Sequence, residues 1–151
     1  MKLVLLDTGI LLRLLNADDP LHEPVRNAAK SLRRQGHSFC VSFQNLAEFW
    51  NVSTRPATAR GGLGLDLEIV ERRVQAIDRW CQILIDSDSS YRHWRSLLVT
   101  HAVTGVSVHD ARIVAVMLAH NIPTLLTLND RDFRRYEANG IEVITPGIFR
   151  A

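Results

Sequence analysis

Cysteine is scarce in this sequence, and its scarcity excludes two kinds of small protein. Of 151 residues only two are cysteines, and they form neither a CxxC pair nor a Cys/His spacing that would bind zinc. Cys40 and Cys81 both lie in apolar segments, which predicts reduced thiols inside a core. Neither a disulfide framework nor a structural zinc site is therefore expected.

Long hydrophobic runs are also missing. No window reaches the roughly 18 uninterrupted apolar residues that a membrane-spanning helix needs. Asp7 and Arg13 interrupt the apolar N-terminal segment, and no small-residue cleavage site follows it before Pro20. The expected protein is soluble and cytoplasmic, without a membrane partner.

Neither sign of charge dominates the chain. The 18 Lys and Arg residues nearly balance the 16 Asp and Glu residues, so the net charge is only +2. This balance does not by itself indicate nucleic-acid binding, and it leaves a local basic patch open. A length of 151 residues, 46% of them hydrophobic, predicts one globular domain spanning residues 1–151.

The apolar residues switch between strand-like and helix-like spacing along the chain. Strands are predicted at 2–6, 37–42, 123–128 and 141–144, and helices at 9–15, 24–36, 43–53, 65–84, 91–103 and 109–120. Ser42 is the expected N-cap of one helix, and Asn121 is the expected C-terminal cap of another. Strands that alternate with helices predict an α/β fold with a mostly parallel sheet.

Acidic residues lie where the predicted strands end. Asp7 directly follows the first strand, Glu48 lies one to two turns into the helix after the second, and Asp110 opens a later helix. Asp130 and Asp132 follow the third strand. Ligands of open parallel sheets bind outside the carboxyl ends of the strands, so these acids are candidate site residues.

Each acid also has a purely structural explanation. Asp7 and Asp110 are suitable helix caps, and Asp130 or Asp132 is an ordinary solvated turn residue. Glu48 is harder to explain in this way, because its neighbours are apolar and a buried acid needs a partner or an ion. Crowded carboxylates repel and raise one another's pKa, so their joint occurrence indicates a bound cation.

The available donor types narrow the choice of cation. Hard oxygen ligands without cysteine or a histidine cluster select Mg²⁺ or Mn²⁺ over zinc. Such an ion lowers the pKa of bound water and stabilises the charge that develops on a phosphodiester. The acids therefore predict metal-dependent phosphodiester hydrolysis.

Four motifs carry a family resemblance: LLDTG at 5–9, NLAEF at 45–49, HDA at 109–111 and TLNDRDF at 127–133. In this order they resemble the PIN-domain family, and within it the toxin ribonucleases of bacterial type II toxin–antitoxin pairs, the VapC group. The resemblance implies an α/β three-layer sandwich with a central, mostly parallel sheet of four to five strands. It also implies a Mg²⁺- or Mn²⁺-dependent endoribonuclease that cuts RNA, forms a homodimer and is neutralised by a small antitoxin.

The resemblance also assigns site residues. Asp7, Glu48 and Asp110 match the three most regular acids of the family and are the expected metal ligands. Asp7 and Asp110 are expected to bind the ion directly. Glu48 is expected to bind through water or to act as a base toward the attacking water.

The fourth acidic position departs from the family pattern. The family often has an acid two residues after the position of Thr127, where this chain has Asn129. Asp130 and Asp132 lie beside it and complete the expected catalytic set. Which of these three residues fills the fourth position, and whether one metal ion or two is bound, stays open.

Contacts to RNA are expected from polar residues near these acids in sequence. They are Thr8, Thr127, Asn129, Arg55 and Arg112. The two threonine hydroxyls are equally well explained as ordinary turn groups, and a chain with 18 Lys and Arg residues places some near any site.

Other functions account for the acids less well. A haloacid-dehalogenase-like phosphatase needs a second aspartate two residues after Asp7, where this chain has Gly9. A signalling receiver needs an acidic pair after its first strand, which is absent here. A non-catalytic PIN-like module that binds RNA or protein is the main alternative, but it has no reason to keep mutually repelling carboxylates.

Overall fold

Strands and helices alternate along the chain, as the apolar pattern predicts. The computed structural model describes residues 2–147, so residues 1 and 148–151 of the predicted domain lie outside the described part. The elements are β1 Leu3–Leu6, α1 Thr8–Leu14, α2 His22–Arg34, β2 Ser38–Ser42, α3 Phe43–Thr54, α4 Leu67–Trp80, β3 Cys81–Leu84, α5 Asp88–Thr100, α6 Ser107–Ala119, β4 Thr124–Leu126, α7 Asp130–Phe133, a 3-10 helix Arg134–Asn139 and β5 Glu142–Ile144. None of these helices is long and apolar enough to cross a membrane.

The five strands form one sheet in the order β3-β2-β1-β4-β5, and every neighbouring pair is parallel. The prediction of an α/β fold with a mostly parallel sheet is confirmed. β1 lies at the centre, between β2 and β4, which explains why it reads as an uninterrupted apolar run. The carboxyl ends of all five strands therefore lie along one edge of the sheet.

Helices cover both faces of the sheet, and each face has its own core. Leu5 and Cys40 pack on one face with residues of α5 and α6. Val4 and Leu6 pack on the other face with residues of α1, α2, α3 and α4. The alternation along β1 follows from the two-residue repeat of a strand, and it confirms a three-layer sandwich.

The helix predicted at 65–84 is wrong in its last turn. α4 ends at Trp80, and Cys81–Leu84 form β3, the strand at one edge of the sheet. β3 pairs with β2 from Phe39 opposite Cys81 onward. Because no loop separates helix from strand, the apolar spacing runs through the junction without a break.

Several smaller expectations are confirmed, and one short region was not predicted. Ser42 caps α3 through a reciprocal capping box, and Asn121 takes the positive φ of 56° that a cap after α6 requires. Cys40 and Cys81 are free, buried thiols. The sequence did not predict α7 and the 3-10 helix, which fill the connection between β4 and β5.

Candidate functional site

Asp7 and Thr127 meet at the carboxyl edge of the sheet, because each directly follows its strand and the two strands are neighbours. Asp7 is the N-cap of α1, and its Oδ1 accepts a hydrogen bond from the Thr8 backbone N–H at 2.9 Å. The hydroxyl of the fully buried Thr127 donates to Asp7 Oδ2 at 2.7 Å. Asp7 is thus a helix cap and also a carboxylate held from its other side.

Glu48 lies on α3 and points to the same edge, with a donor on each carboxylate oxygen. The hydroxyl of Thr8 donates to Glu48 Oε2 at 2.6 Å, and the side-chain amide of Gln44 donates to Oε1 at 2.9 Å. The amide of Asn45 in turn donates to Thr8 Oγ1 at 3.1 Å. Asn45 is itself fixed by the capping box that it forms with Ser42.

Asp110 lies in the first turn of α6 but does not cap it, because the helix begins at Ser107. Within residues 2–147 its carboxylate has no hydrogen-bond or ion-pair partner, so the helix-cap explanation does not apply. The start of α6 is tied to α3 by Gln44, whose amide donates to the His109 carbonyl at 2.8 Å as well as to Glu48. Gln44 therefore links the start of α6 to the Glu48 carboxylate.

The pKa shifts show that these acids interact. Burial raises the pKa of Asp7 and the Glu48 charge adds to this, while hydrogen bonds from Thr127 and Thr8 oppose the rise. Burial also raises the pKa of Asp110 to about 6, and the negative charges of Asp7, Asp132 and Glu48 contribute. Arg135 acts in the opposite direction. We refer to Asp7, Glu48, Asp110 and Asp132 as the acidic cluster.

The three residues considered for the fourth position have different surroundings. Asp130 forms an ion pair with Arg134, with 2.9 Å between Oδ2 and Nη2. Asp132 instead contributes to the raised pKa of Asp110, and its Oδ2 accepts a hydrogen bond from the Asn129 amide at 2.6 Å. The Asn129 backbone N–H donates to Thr127 Oγ1 at 2.9 Å. The structure thus brings Asp132 to the acidic cluster through Asn129, while Arg134 holds Asp130.

The residues expected to contact RNA divide into two groups. Thr8, Thr127 and Asn129 lie in the site, where each donates a hydrogen bond to a carboxylate. Arg112 forms an ion pair with Asp86 and contacts none of these carboxylates within residues 2–147. Arg55 follows the last residue of α3, seven residues beyond Glu48 and so about 10 Å farther along the helix axis. The structure does not bring Arg55 to the acidic cluster.

Three residues of the site were not identified from the sequence. The spacing of Gln44 and Asn45 could have identified them. Gln44 lies four residues before Glu48, and Asn45 lies three residues after the N-cap Ser42. Arg135 had no signal, because its approach to Asp110 depends on the unpredicted 3-10 helix.

The donor groups of the acidic cluster decide which metal ion it suits. Within residues 2–147 no group of three or more His, Cys, Asp or Glu side chains is arranged to hold a metal ion. Mg²⁺, however, is usually bound by one or two carboxylates with water and substrate oxygens as the other ligands. The Asp110 carboxylate has no hydrogen-bond or ion-pair partner in the described part of the chain, and each Asp7 oxygen accepts one protein hydrogen bond and retains a free lone pair. The pair fits a hydrated Mg²⁺ or Mn²⁺, whereas it does not supply the three or four protein ligands of a zinc site.

The chain is similar to known proteins over almost its whole length. The PIN domain family model matches residues 4–139.

Among solved structures, VapBC2 from Rickettsia felis bound to a promoter DNA fragment has 19% identity and a TM-score of 0.67, with 95% of this chain and 98% of that chain covered. VapC20 from Mycobacterium tuberculosis, a sarcin-ricin loop cleaving toxin, has 20% identity and a TM-score of 0.63, with 92% and 96% covered. VapBC-1 from nontypeable Haemophilus influenzae has 19% identity and a TM-score of 0.65, with 95% and 97% covered. No curated protein matches the chain by sequence. At such identities these structures show a common fold.

Proposed function

We propose that this chain, which belongs to the PIN domain family, hydrolyses RNA phosphodiester bonds as a Mg²⁺- or Mn²⁺-dependent endoribonuclease. The acidic cluster is the observation that carries the proposal. Burial and the negative charges of neighbouring carboxylates raise the pKa of Asp7 and of Asp110 at the edge of a parallel sheet where ligands bind, and a cation would relieve that repulsion.

Asp7 and Asp110 are the proposed direct ligands of the ion, and Glu48 is proposed to contact it through water. When bound, the ion lowers the pKa of a water and neutralises charge that develops on the phosphodiester. The hydrogen bonds from Thr127 and Thr8 favour the ionised form of Asp7 and fix the plane of its carboxylate. Asp7 is therefore oriented before any ligand arrives.

Glu48 is the proposed general base. Its oxygens are fixed by Thr8 and Gln44, and each oxygen keeps a lone pair that can accept a proton from the attacking water.

Asp132 is the proposed fourth acid, because its charge raises the pKa of Asp110, whereas Asp130 is neutralised by Arg134. Arg135 supplies positive charge on the same side and is suited to an RNA phosphate.

A toxin role and a small antitoxin partner are part of the proposal. The likeness to the VapBC structures and to a toxin–antitoxin complex from Klebsiella pneumoniae supports a partner of this kind. VapC20 is a toxin that cleaves the sarcin-ricin loop, and the likeness to it supports RNA as the substrate class. A second copy of this chain is the other partner that we propose.

The test is cleavage of a mixed cellular RNA pool by purified protein with Mg²⁺, Mn²⁺ or EDTA. We expect cutting only with metal, and none from the Asp7→Asn variant. Asp130→Asn is the matched control, because it removes the same charge from a carboxylate that lies in an ion pair with Arg134. The control should cut as the unaltered protein does.

Two results would contradict the nuclease. Full activity of Asp7→Asn would show that the acidic cluster does not perform the cutting. No cutting under any condition, together with no metal binding in a calorimetric titration, would favour the non-catalytic module that binds RNA or protein.

A further inference from the structure

A cavity of about 510 Å³ lies between α5 and the start of α6, and the proposed function leaves it unused. The residues that matter here are Asp86, Tyr91, Trp94, Val108, His109 and Arg112. Its volume lies within the range of about 300–1,000 Å³ that is typical of sites for small organic groups.

The cavity lies beside the acidic cluster. His109 lines it and immediately precedes Asp110. The His109 carbonyl accepts a hydrogen bond from Gln44, the residue that also holds Glu48. Asp86 lies two residues beyond β3, on the edge of the sheet where Asp7 follows β1. A group in the cavity would thus be close to whatever the carboxylates bind.

Two aromatic side chains form one wall. Tyr91 and Trp94 lie one turn apart on α5, with ring centroids 6.4 Å apart. The Trp94 indole N–H donates to the Val108 carbonyl at 2.9 Å, which fixes the plane of the ring. Tyr91 is 55% exposed, so its ring is accessible to a ligand from solvent. Aromatic faces of this kind bind unstacked nucleobases of single-stranded RNA.

Polar groups at the rim are suited to the edge of a base. Arg112 Nε and Nη2 both donate to Asp86 Oδ2. Asp86 Oδ1 and Arg112 Nη1 then have no partner within residues 2–147. An acceptor and a donor stand next to each other, which is the arrangement that the hydrogen-bonding edge of a base requires.

We propose that this cavity binds one unpaired nucleobase of the RNA, next to the phosphodiester that is cut. The proposal rests on the proposed function for the phosphodiester, and on Tyr91, Trp94, Asp86 and Arg112 for the base. It predicts that affinity for RNA depends on the base as well as on the backbone.

The test compares two probes on full-length protein that carries Asp7→Asn, so that RNA stays intact. One probe is a fluorescein-labelled single-stranded RNA of random sequence, and the other is the same backbone without bases. Tyr91→Ala should weaken binding of the base-containing RNA by about 5- to 150-fold, the range for loss of one base–aromatic stack. It should change binding of the abasic probe by less than about twofold, and Tyr91→Phe should retain full affinity.

Val99→Ala is the matched control, because Val99 lies on the same helix and is 84% exposed. Equal effects of Tyr91→Ala and Val99→Ala, or an equal loss for both probes, would overturn the proposal. So would a change from dimer to monomer in Tyr91→Ala by light scattering, because the cavity would then be covered by a second copy of the chain.

Cleavage assays with Asp7 restored separate the two proposals. If the protein cuts RNA and Tyr91→Ala leaves KM and the cleavage sites unchanged, the base site is wrong and the nuclease stands. If binding depends on Tyr91 but no metal supports cutting, the base site stands and the nuclease is wrong. Absence of any RNA binding overturns both.

Discussion

The hydroxyl of Thr127 donates to Asp7 Oδ2 at 2.7 Å, although 120 positions separate the two residues in the sequence. The same oxygen of Thr127 accepts the backbone N–H of Asn129 at 2.9 Å. One fully buried hydroxyl therefore joins the first strand of the chain to the segment that carries Asp132.

Replacing Thr127 tests that connection. Thr127→Val keeps the shape but leaves Asp7 Oδ2 and the Asn129 N–H without a partner, so the free energy of unfolding should fall by about 1–3 kcal/mol. RNA cleavage should fall with it, because Asp7 is no longer held in one orientation. Thr127→Ser restores the hydroxyl and should recover both properties in urea unfolding and cleavage assays. A Thr127→Val protein with unchanged stability and activity would show that the hydrogen bond has no role.

Asp110→Asn should separate stability from activity. The substitution removes a half-buried charge that has no ion-pair partner among residues 2–147 and that three neighbouring carboxylates repel. Metal-free protein should therefore become more stable by ~1–2 kcal/mol at about pH 7 after allowance for solvent screening. Metal-dependent RNA cleavage should be lost. Asp130→Asn serves again as the control and should change neither the stability of metal-free protein nor RNA cleavage. Destabilisation by Asp110→Asn in EDTA would contradict the charge argument.

The pH dependence of stability should carry the signature of Asp110. Its pKa in the folded protein is about 6 and its ordinary value is 3.8, so the folded state holds this proton more tightly than the unfolded state. Its contribution therefore favours folding at acid pH and is lost as pH rises from about 4 to about 6. The difference in unfolding free energy between this protein and Asp110→Asn, measured in EDTA across that range, should widen with pH. A constant difference would show that Asp110 titrates normally.

Metal affinity should distinguish Asp132 from Asp130. Asp132→Asn removes a charge that acts on Asp110, and loss of such an outer contact typically weakens metal binding by about tenfold or more. Asp130→Asn should leave Mn²⁺ affinity unchanged in calorimetric titration, because Arg134 already compensates that charge. The reverse order of the two variants would place Asp130 in the fourth position.

The thiols should be unreactive in the folded protein. Burial raises the pKa of Cys40 and of Cys81 to about 12, so almost no thiolate exists near neutral pH. Iodoacetamide should label both residues in urea and neither in buffer. Rapid labelling of native protein would show that β2 and β3 open to solvent.

The positions of site residues that directly follow a strand could be predicted from the sequence. Asp7 follows β1 and Thr127 follows β4. Because these two strands are parallel neighbours, the topology alone brings both residues to one edge of the sheet. The position of Glu48 follows from a helix that begins at Phe43, and its N-cap Ser42 was predicted from the sequence. In these cases secondary structure determines position, and periodicity predicts secondary structure.

The parts of the fold and of the site that the sequence did not predict depend on contacts that leave no periodic pattern in it. β3 was not predicted because α4 continues into it without a turn residue. Its four residues are also too few to show the alternation of apolar and polar residues that is typical of a strand. The choice of Asp132 over Asp130 depends on Arg134 and Asn129, whose side chains select opposite partners within one short segment. The cavity beside His109 depends on how α5 packs on α6, which sequence spacing does not specify.

The central position of β1 has a consequence during synthesis on the ribosome. Of the five strands β1 is made first, but its neighbour β4 begins only at Thr124, after α6 has been completed. A nascent chain that stops before this strand contains Asp7 and Glu48 but lacks Thr127, Asn129 and Asp132. Since contacts of such long sequence separation form late, the four carboxylates assemble only after the segment that carries Asp132 has been translated. An unfinished copy that lacks β4 therefore lacks the complete acidic cluster.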